Sequence, residues 1–249
     1  MLGVSAAFPS EGDACSGYLV HSEDTKILLD CGSGIMSRLP RFSSYDDVEA
    51  VLISHLHADH YLDVHILRYA LAYSQHKKTP FKKVPLLMPP GDYARLANEA
   101  SAERNKLDDV FQPASMSEKS KIRLGSFELS FSLMNHPLQS FAMKVSGRLG
   151  KTMVYSGDTG WTESLIEFAK DADLFLCEAT LQEKDKERAF DAGHLTATQA
   201  GEIASRAKVK KLVLTHIWPE YEKHQSLLEA SETFSGFIEL AEVGGTVEV

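Results

Sequence analysis

His55-Leu56-His57-Ala58-Asp59-His60 gathers three of the chain's ten histidines and an aspartate into six residues. Imidazole nitrogen and carboxylate oxygen are the ligands that zinc and similar divalent ions prefer, so the stretch reads as part of a metal centre. Its flanks fix its setting. Ala50-Val51-Leu52-Ile53-Ser54 is an apolar run of strand length, and Leu62, Ile66, Tyr69, Ala70 and Tyr73 recur at helical spacing over 61–75. The hexapeptide is therefore a strand-to-helix loop, with Asp59 near a helix N-terminus, where negative charge is favoured.

The same plan recurs along the chain. Apolar runs ending in an ionisable residue occur at Lys26–Asp30, Ala50–His55, Met153–Asp158, Leu174–Glu178 and Leu212–His216. Continuous apolar runs of this length predict strands buried on both faces, and their five polar endings predict one rim of a sheet. Helical patterns fall near 91–105, 162–170, 197–207 and 223–234, with Thr196 placed to cap the third. Phe127–Met134, with Phe127, Leu129, Phe131 and Leu133 on one face, and Phe141–Val145 read as antiparallel strands. Strands and helices interleaved throughout predict α/β layering, with helices on both outer faces and one domain spanning 1–249. There is also a faint echo: Ser16-Gly17-Tyr18-Leu19 leading to Asp30 and Gly34 parallels Ser140-Phe141-Ala142-Met143 leading to Asp158 and Gly160.

Composition narrows the function classes. Thirty-five Asp and Glu against 26 Lys and Arg give a formal charge of −9, which argues against non-specific binding of extended nucleic acid. Hydrophobic residues at 43% and charged residues at 24% are those of a globular chain. No apolar run reaches the roughly 18 residues that a membrane span needs, and no signal peptide is visible. Three scattered cysteines, Cys15, Cys31 and Cys177, make no disulfide framework; they read as small buried hydrophobes in a reducing, cytoplasmic protein.

One hexapeptide cannot complete two metal shells. His136 ends an alternating strand before the stiffening Pro137, Asp158 lies in Ser-Gly-Asp-Thr-Gly, and His216 ends the last buried strand. With Asp30 upstream and these three downstream in order, the HxHxDH hexapeptide resembles the motif set of the metallo-β-lactamase-fold hydrolases. The resemblance runs from about Gly3 to the C-terminus. It implies a four-layer αβ/βα sandwich of two mixed sheets. It also implies that His55, His57 and His136 bind one metal, Asp59, His60 and His216 a second, and Asp158 both, with Asp30 holding a ligand, or the loop that carries one, from behind. Glu178 in Cys-Glu-Ala-Thr and His194 in Gly-His-Leu-Thr resemble the HEAT and HST elements of the tRNase Z-like phosphodiesterase branch, where a His assisted by a Glu donates a proton to the leaving oxygen. Asp59, His194 and Glu178 are thus the candidate catalytic side chains.

The implied chemistry is coherent. Two metals roughly 3.5–4 Å apart can hold a bridging hydroxide and polarise a phosphoryl oxygen, while an acid opposite protonates the departing alkoxide. Zinc suits the mixed nitrogen and oxygen ligands, with manganese or iron as alternatives. Departures from the branch matter too. Only 21 residues separate His136 from Asp158, which leaves no room for the RNA-binding arm typical of the tRNA-processing enzymes. Asp63 stands where those nucleases commonly have glycine, and Met1-Leu2-Gly3 reads as the tail of a first strand. The expectation is a hydrolase of small phosphodiesters or nucleotides, with no extended nucleic acid, no membrane and room for a homodimer. The alternatives are a hydrolase of a lactone, thioester or β-lactam, or a non-catalytic scaffold.

Outside these motifs, His21, His65, His76 and His224 read as surface or helix residues. Lys77-Lys78 and Lys82-Lys83, beside Tyr73 and Phe81, read as a solvated basic cluster, and Glu183–Arg188 as a solvated charged segment. Trp218-Pro219-Glu220-Tyr221 is better placed to wall the pocket and stack a base.

Overall fold

The strand-like apolar runs assemble into two sheets that face each other. In the computed structural model, which describes residues 1–74 and 82–249, the first sheet runs β1 (Tyr18–His21), β2 (Lys26–Leu29), β3 (Ala50–Leu52), β4 (Val84–Met88) and β5 (Phe111–Ser115). The second contains β6 (Ile122–Leu124), β7 (Phe127–Leu133), β8 (Phe141–Ser146), β9 (Thr152–Tyr155), β10 (Leu174–Glu178), β11 (Lys211–Thr215) and β12 (Phe237–Leu240), laid side by side in that order. In the first sheet β1 is antiparallel to β2, and β2 through β5 are parallel. In the second, β6 through β9 are antiparallel and β9 through β12 parallel.

The five ionisable-ended runs are buried on both faces, and strand alternation shows why. Ile27 and Leu29, Ala50 and Leu52, Leu174 and Leu176, and Val213 point into the core between the sheets. Their neighbours Leu28, Val51, Phe175, Leu212 and Leu214 point outward under helices. The first sheet is covered by α1 (Ile35–Arg38), α2 (Ala58–Tyr61), α3 (Val64–Tyr73), α4 (Asp92–Glu99) and α5 (Leu107–Val110). The second is covered by α6 (Glu163–Ala169), α8 (Ala197–Ala207) and α9 (Lys223–Ser231), with α7 (Lys186–Ala192) in the connection between β10 and α8. The result is the expected αβ/βα sandwich of four layers. Phe127, Leu129 and Phe131 face the inner core, but Leu133, next on that face, is 42% exposed, because the inner core ends before it.

The faint echo corresponds to a repeated arrangement. The antiparallel pairs β1/β2 and β8/β9 each lead into parallel strands, and Asp30 and Asp158 follow the second strand of each pair. The chain then breaks sharply at the rim. Asp30 (φ 55°) and His216 (φ 52°) are left-handed, a conformation that costs a non-glycine residue roughly 1–2 kcal/mol. Gly157 (φ 58°) makes the equivalent turn before Asp158, where a Cβ would lie 2.9 Å from the Phe141 carbonyl oxygen.

The opposite end of the second sheet is closed by Asp173. Its carboxylate accepts from the Thr152 N–H (2.9 Å), Lys151 (3.1 Å) and Lys210 (2.8 Å), tying β9, β10 and β11 together where they begin. Burial pushes the Asp173 pKa upward, but these donors outweigh it and hold the carboxyl below its ordinary value. A carboxylate with a depressed folded pKa contributes stability that is present above about pH 4 and is lost as the pH falls further. Asp173→Asn should therefore cost about 1 kcal/mol at pH 7, since its lysine partners are exposed, and the gap from wild type should shrink below about pH 4 in urea denaturation.

Candidate metal centre

All seven proposed ligands and the three supporting residues meet at the C-terminal rim of the two sheets. β3 delivers His55 and His57, and the start of α2 delivers Asp59 and His60. The turn after β7 delivers His136, and the ends of β9 and β11 deliver Asp158 and His216. The ligand atoms fall into overlapping groups within 4.8 Å: His55, His57, His136 and Asp158; Asp59, His60 and His216; and Asp158, His194 and His216. Sequence positions as distant as His60 and His216 come to 3.1 Å between their Nε2 atoms.

The direction of each ring decides what the cavity can hold. His60 Nδ1–H donates to Asp30 Oδ2 (2.7 Å), and His136 Nδ1–H donates to the Gly193 carbonyl (2.9 Å). Thr180 Oγ1 gives its single proton to Glu178 Oε2 (2.6 Å), so it accepts from His216 Nδ1–H at 2.8 Å. Ser54 Oγ likewise donates to Asp30 Oδ2 (2.9 Å) and accepts from His55 Nδ1–H (3.0 Å). In the neutral form of these four rings the inward nitrogens are left as lone pairs. His55 Nε2 and His136 Nε2 lie 3.0 and 3.2 Å from His57 Nδ1, and Asp59 Oδ2 lies 3.2 Å from His216 Nε2. Asp158 Oδ1 is buried with no hydrogen-bond partner among the described residues. Acceptors that converge without donors, with an orphaned carboxylate oxygen among them, fit a cation.

The electrostatics agree. Burial first, and then neighbouring imidazoles, hold His55 well below its ordinary pKa; burial also depresses His57 and His136, leaving them as neutral donors. Burial opposes a charge on His60, but the Asp158 and Asp30 carboxylates raise its pKa well above the ordinary value. Asp158 and Asp59 are held below theirs: desolvation works against this, but the adjacent histidines prevail. The cavity calls for positive charge, and among the described residues no lysine or arginine bonds to Asp30, Asp59, Asp158 or Glu178.

Glu178 is fully buried and accepts five hydrogen bonds, from the N–H groups of Thr159, Thr180 and Leu195, the Thr180 hydroxyl and His194 Nδ1–H (3.0 Å). Thr196 and Gln199 form a reciprocal cap on α8 and fix the turn that carries His194. Burial would lower the His194 pKa, but Glu178 raises it to about 9; its side chain is 17% exposed, at the mouth of the site.

Several supporting groups are not evident from the motifs. Tyr155, on the second sheet, donates to Asp30 Oδ2 at 2.7 Å and so braces the residue that orients His60. Ser54 and Thr180 set ring tautomers, and Gly193 (φ 70°) approaches so closely that a Cβ would sit 2.5 Å from Pro137 Cδ. The Ala7 N–H donates to Asp59 Oδ2 at 2.8 Å, a backbone contact that no residue type announces. Asp63, in the place of the nuclease glycine, accepts from the Met36 N–H (2.8 Å) and ties α3 to the start of α1.

Among the described residues, the other histidines stay apart from the centre. His21 and His224 are exposed, and His65 pairs with Glu99. The three cysteines are free and buried; burial raises Cys15 to about 12 and Cys31 and Cys177 well above their ordinary value, so all three are thiols. Lys82 and Lys83 are exposed, whereas His76, Lys77, Lys78 and Phe81 lie outside the described residues. Glu183–Arg188 forms a 3-10 turn leading into α7.

Removing one brace should loosen the centre without emptying it. Tyr155→Phe deletes a single hydrogen bond to Asp30, so metal affinity measured by competition with a chelator should fall about 10-fold or more, with circular dichroism unchanged. Unaltered affinity would show that Asp30 needs no brace from the second sheet.

Comparison with known proteins places this geometry. Residues 25–217 match the β-lactamase superfamily domain. An uncharacterized protein of Mycobacterium leprae is 34% identical over all of this chain and 87% of its own length. The probable metallo-hydrolase YhfI of Bacillus subtilis is 30% identical over 98% of this chain and 96% of its own length. The crystal structure of YhfI superposes with a TM-score of 0.86, covering 97% of this chain and 95% of that one, at 27% identity. A ribonuclease Z of Haloarcula marismortui is 28% identical over 98% of this chain and 94% of its own length. No helix among the described residues is long and apolar enough to cross a membrane. The chain belongs to the metallo-β-lactamase-fold hydrolases, in their tRNase Z-like branch, and is a metal-dependent hydrolase.

Proposed function

We propose that the protein is a dinuclear phosphodiesterase acting on small phosphodiesters, with zinc its most suitable metal, in the reducing cytoplasm. In this reading His55, His57 and His136 hold one ion, Asp59, His60 and His216 the other, and Asp158 both. When bound, such ions lower the pKa of water and withdraw charge from phosphoryl oxygens.

The Glu178–His194 pair carries the reading. A thioester's thiolate departs without a proton, whereas the alkoxide that leaves a phosphodiester needs one. Glu178 holds His194 by Nδ1–H at 3.0 Å, which leaves the other ring nitrogen to donate at the mouth of the site. Glu178 also reaches His216 through Thr180, so the acid and one ligand are oriented by the same carboxylate. The ribonuclease Z relative supports phosphodiester chemistry. Between His136 and Asp158 the chain forms only the β8/β9 hairpin, which supports a substrate without folded RNA.

The test is a panel of a cyclic nucleotide, bis-p-nitrophenyl phosphate, a lactone and a thioester, assayed with and without chelator. Phosphodiester turnover should dominate and vanish with chelator. His194→Ala should lower kcat about 10²–10⁴-fold for the cyclic nucleotide with metal content unchanged. The loss should be smaller for the p-nitrophenyl ester, whose leaving group departs without a proton. Equal activity of wild type and variant on the cyclic nucleotide would remove the acid role, and turnover confined to the lactone or thioester would favour carbonyl hydrolysis.

A further inference from the structure

Beside the Asp59 cluster lies an aromatic pair that the hydrolytic chemistry does not use. Phe8, 42% exposed, meets Trp218 edge to face, with centroids 5.2 Å apart and planes at 86°. Both rings ride on backbone fastened to the candidate ligands. The Ala6 N–H donates to the Ile217 carbonyl (3.3 Å), next to His216, and the Ala7 N–H donates to Asp59 Oδ2 (2.8 Å). The Trp218 N–H donates to the carbonyl of Thr180 (3.2 Å), the residue that orients His216.

The segment that presents Phe8 is strained. The Phe8 N–H reaches back to the Ala6 carbonyl at 2.6 Å across Ala7, whose φ is 52°. That is a three-residue turn of the rare hand, which persists only where its surroundings hold it. Here it places one N–H on Asp59 and the next side chain on Trp218. The indole is fixed in turn by its own Nε1–H, which donates to Glu220 at 3.1 Å. A carboxylate at that edge makes the shelf unsuited to a second phosphate and suited to a neutral flat group.

We propose that Phe8 and Trp218 form a stacking shelf for a nucleobase, so that the substrates are nucleoside phosphodiesters rather than alkyl ones. The inference rests on the phosphodiesterase reading and specifies its substrate class. Stacking on an aromatic side chain tolerates any base, and its loss should weaken binding about 10–100-fold.

Calorimetric titration of the zinc-loaded protein with adenosine 5′-monophosphate and with ribose 5-phosphate tests the shelf without turnover. The nucleotide should bind at least about 10-fold more tightly than the sugar phosphate. Phe8→Ala should erase that difference while sparing sugar phosphate affinity and metal content, and Phe8→Tyr should restore it. In kinetics, Phe8→Ala should raise KM for a cyclic nucleotide. Equal affinity for the two probes in wild type, or a preference that survives both Phe8→Ala and Trp218→Ala, would overturn the proposal. If Phe8→Ala lowered both affinities and metal content together, Phe8 would only support Asp59, and the shelf would likewise be overturned. Absence of phosphodiester turnover in the substrate panel, with the base preference intact, would instead count against the phosphodiesterase reading.

Discussion

Four buried carboxylates, Asp30, Asp59, Asp158 and Glu178, share one rim, and among the described residues only histidines, hydroxyls and backbone N–H groups answer them. Buried negative charge without lysine or arginine is costly unless something else supplies positive charge. Hydrogen bonding makes the demand sharper, because the outer nitrogens of His55, His60, His136 and His216 are bonded outward and their lone pairs are turned in. A divalent cation is what such a cavity fits.

The fold is arranged around holding those lone pairs still. Two sheets with related strand plans bring their C-terminal ends together, and left-handed turns at Asp30, Gly157 and His216 aim the side chains that follow or sit at them. Bonds across the sandwich then join the halves: Tyr155 to Asp30, and Tyr18 to Thr215 at 2.7 Å. Asp173 ties the far end, where Asp171 (φ 56°) and Lys208 (φ 57°) turn the chain into β10 and β11.

The rim was legible in the sequence because a strand buried on both faces writes itself as an uninterrupted apolar run, and a polar residue at its end stands out. Lys26–Asp30, Leu174–Glu178 and Leu212–His216 are of that kind, and so is the hexapeptide after Leu52. Other strands were less legible. β4 and β5 contain Pro85 and Pro113, which break a strand pattern, while β6 and β12 are short and only partly buried. Within the site, ligand types showed in the motifs, but their orientation did not. Thr180 and Ser54 are ordinary residues until their single protons are assigned, and the Ala7 and Gly193 backbone contacts depend on conformation alone. Phe8 lies in an N-terminal segment without a motif, and only the fold sets it against Trp218.

The acidic balance takes on a narrower meaning once its members are placed. Part of the −9 is concentrated where cations would neutralise it, so the global charge argues against long nucleic acid but not against a small phosphate ester drawn to the centre. The central claim is that the two groups of converging acceptors each hold an ion, with Asp158 between them. The most direct measurement is the metal content of stripped and zinc-reconstituted protein, wild type and His136→Ala, by elemental analysis. The account predicts about two ions per chain in the wild type and about one in the variant. Fewer than about one in the wild type, or the same number in both, would contradict it.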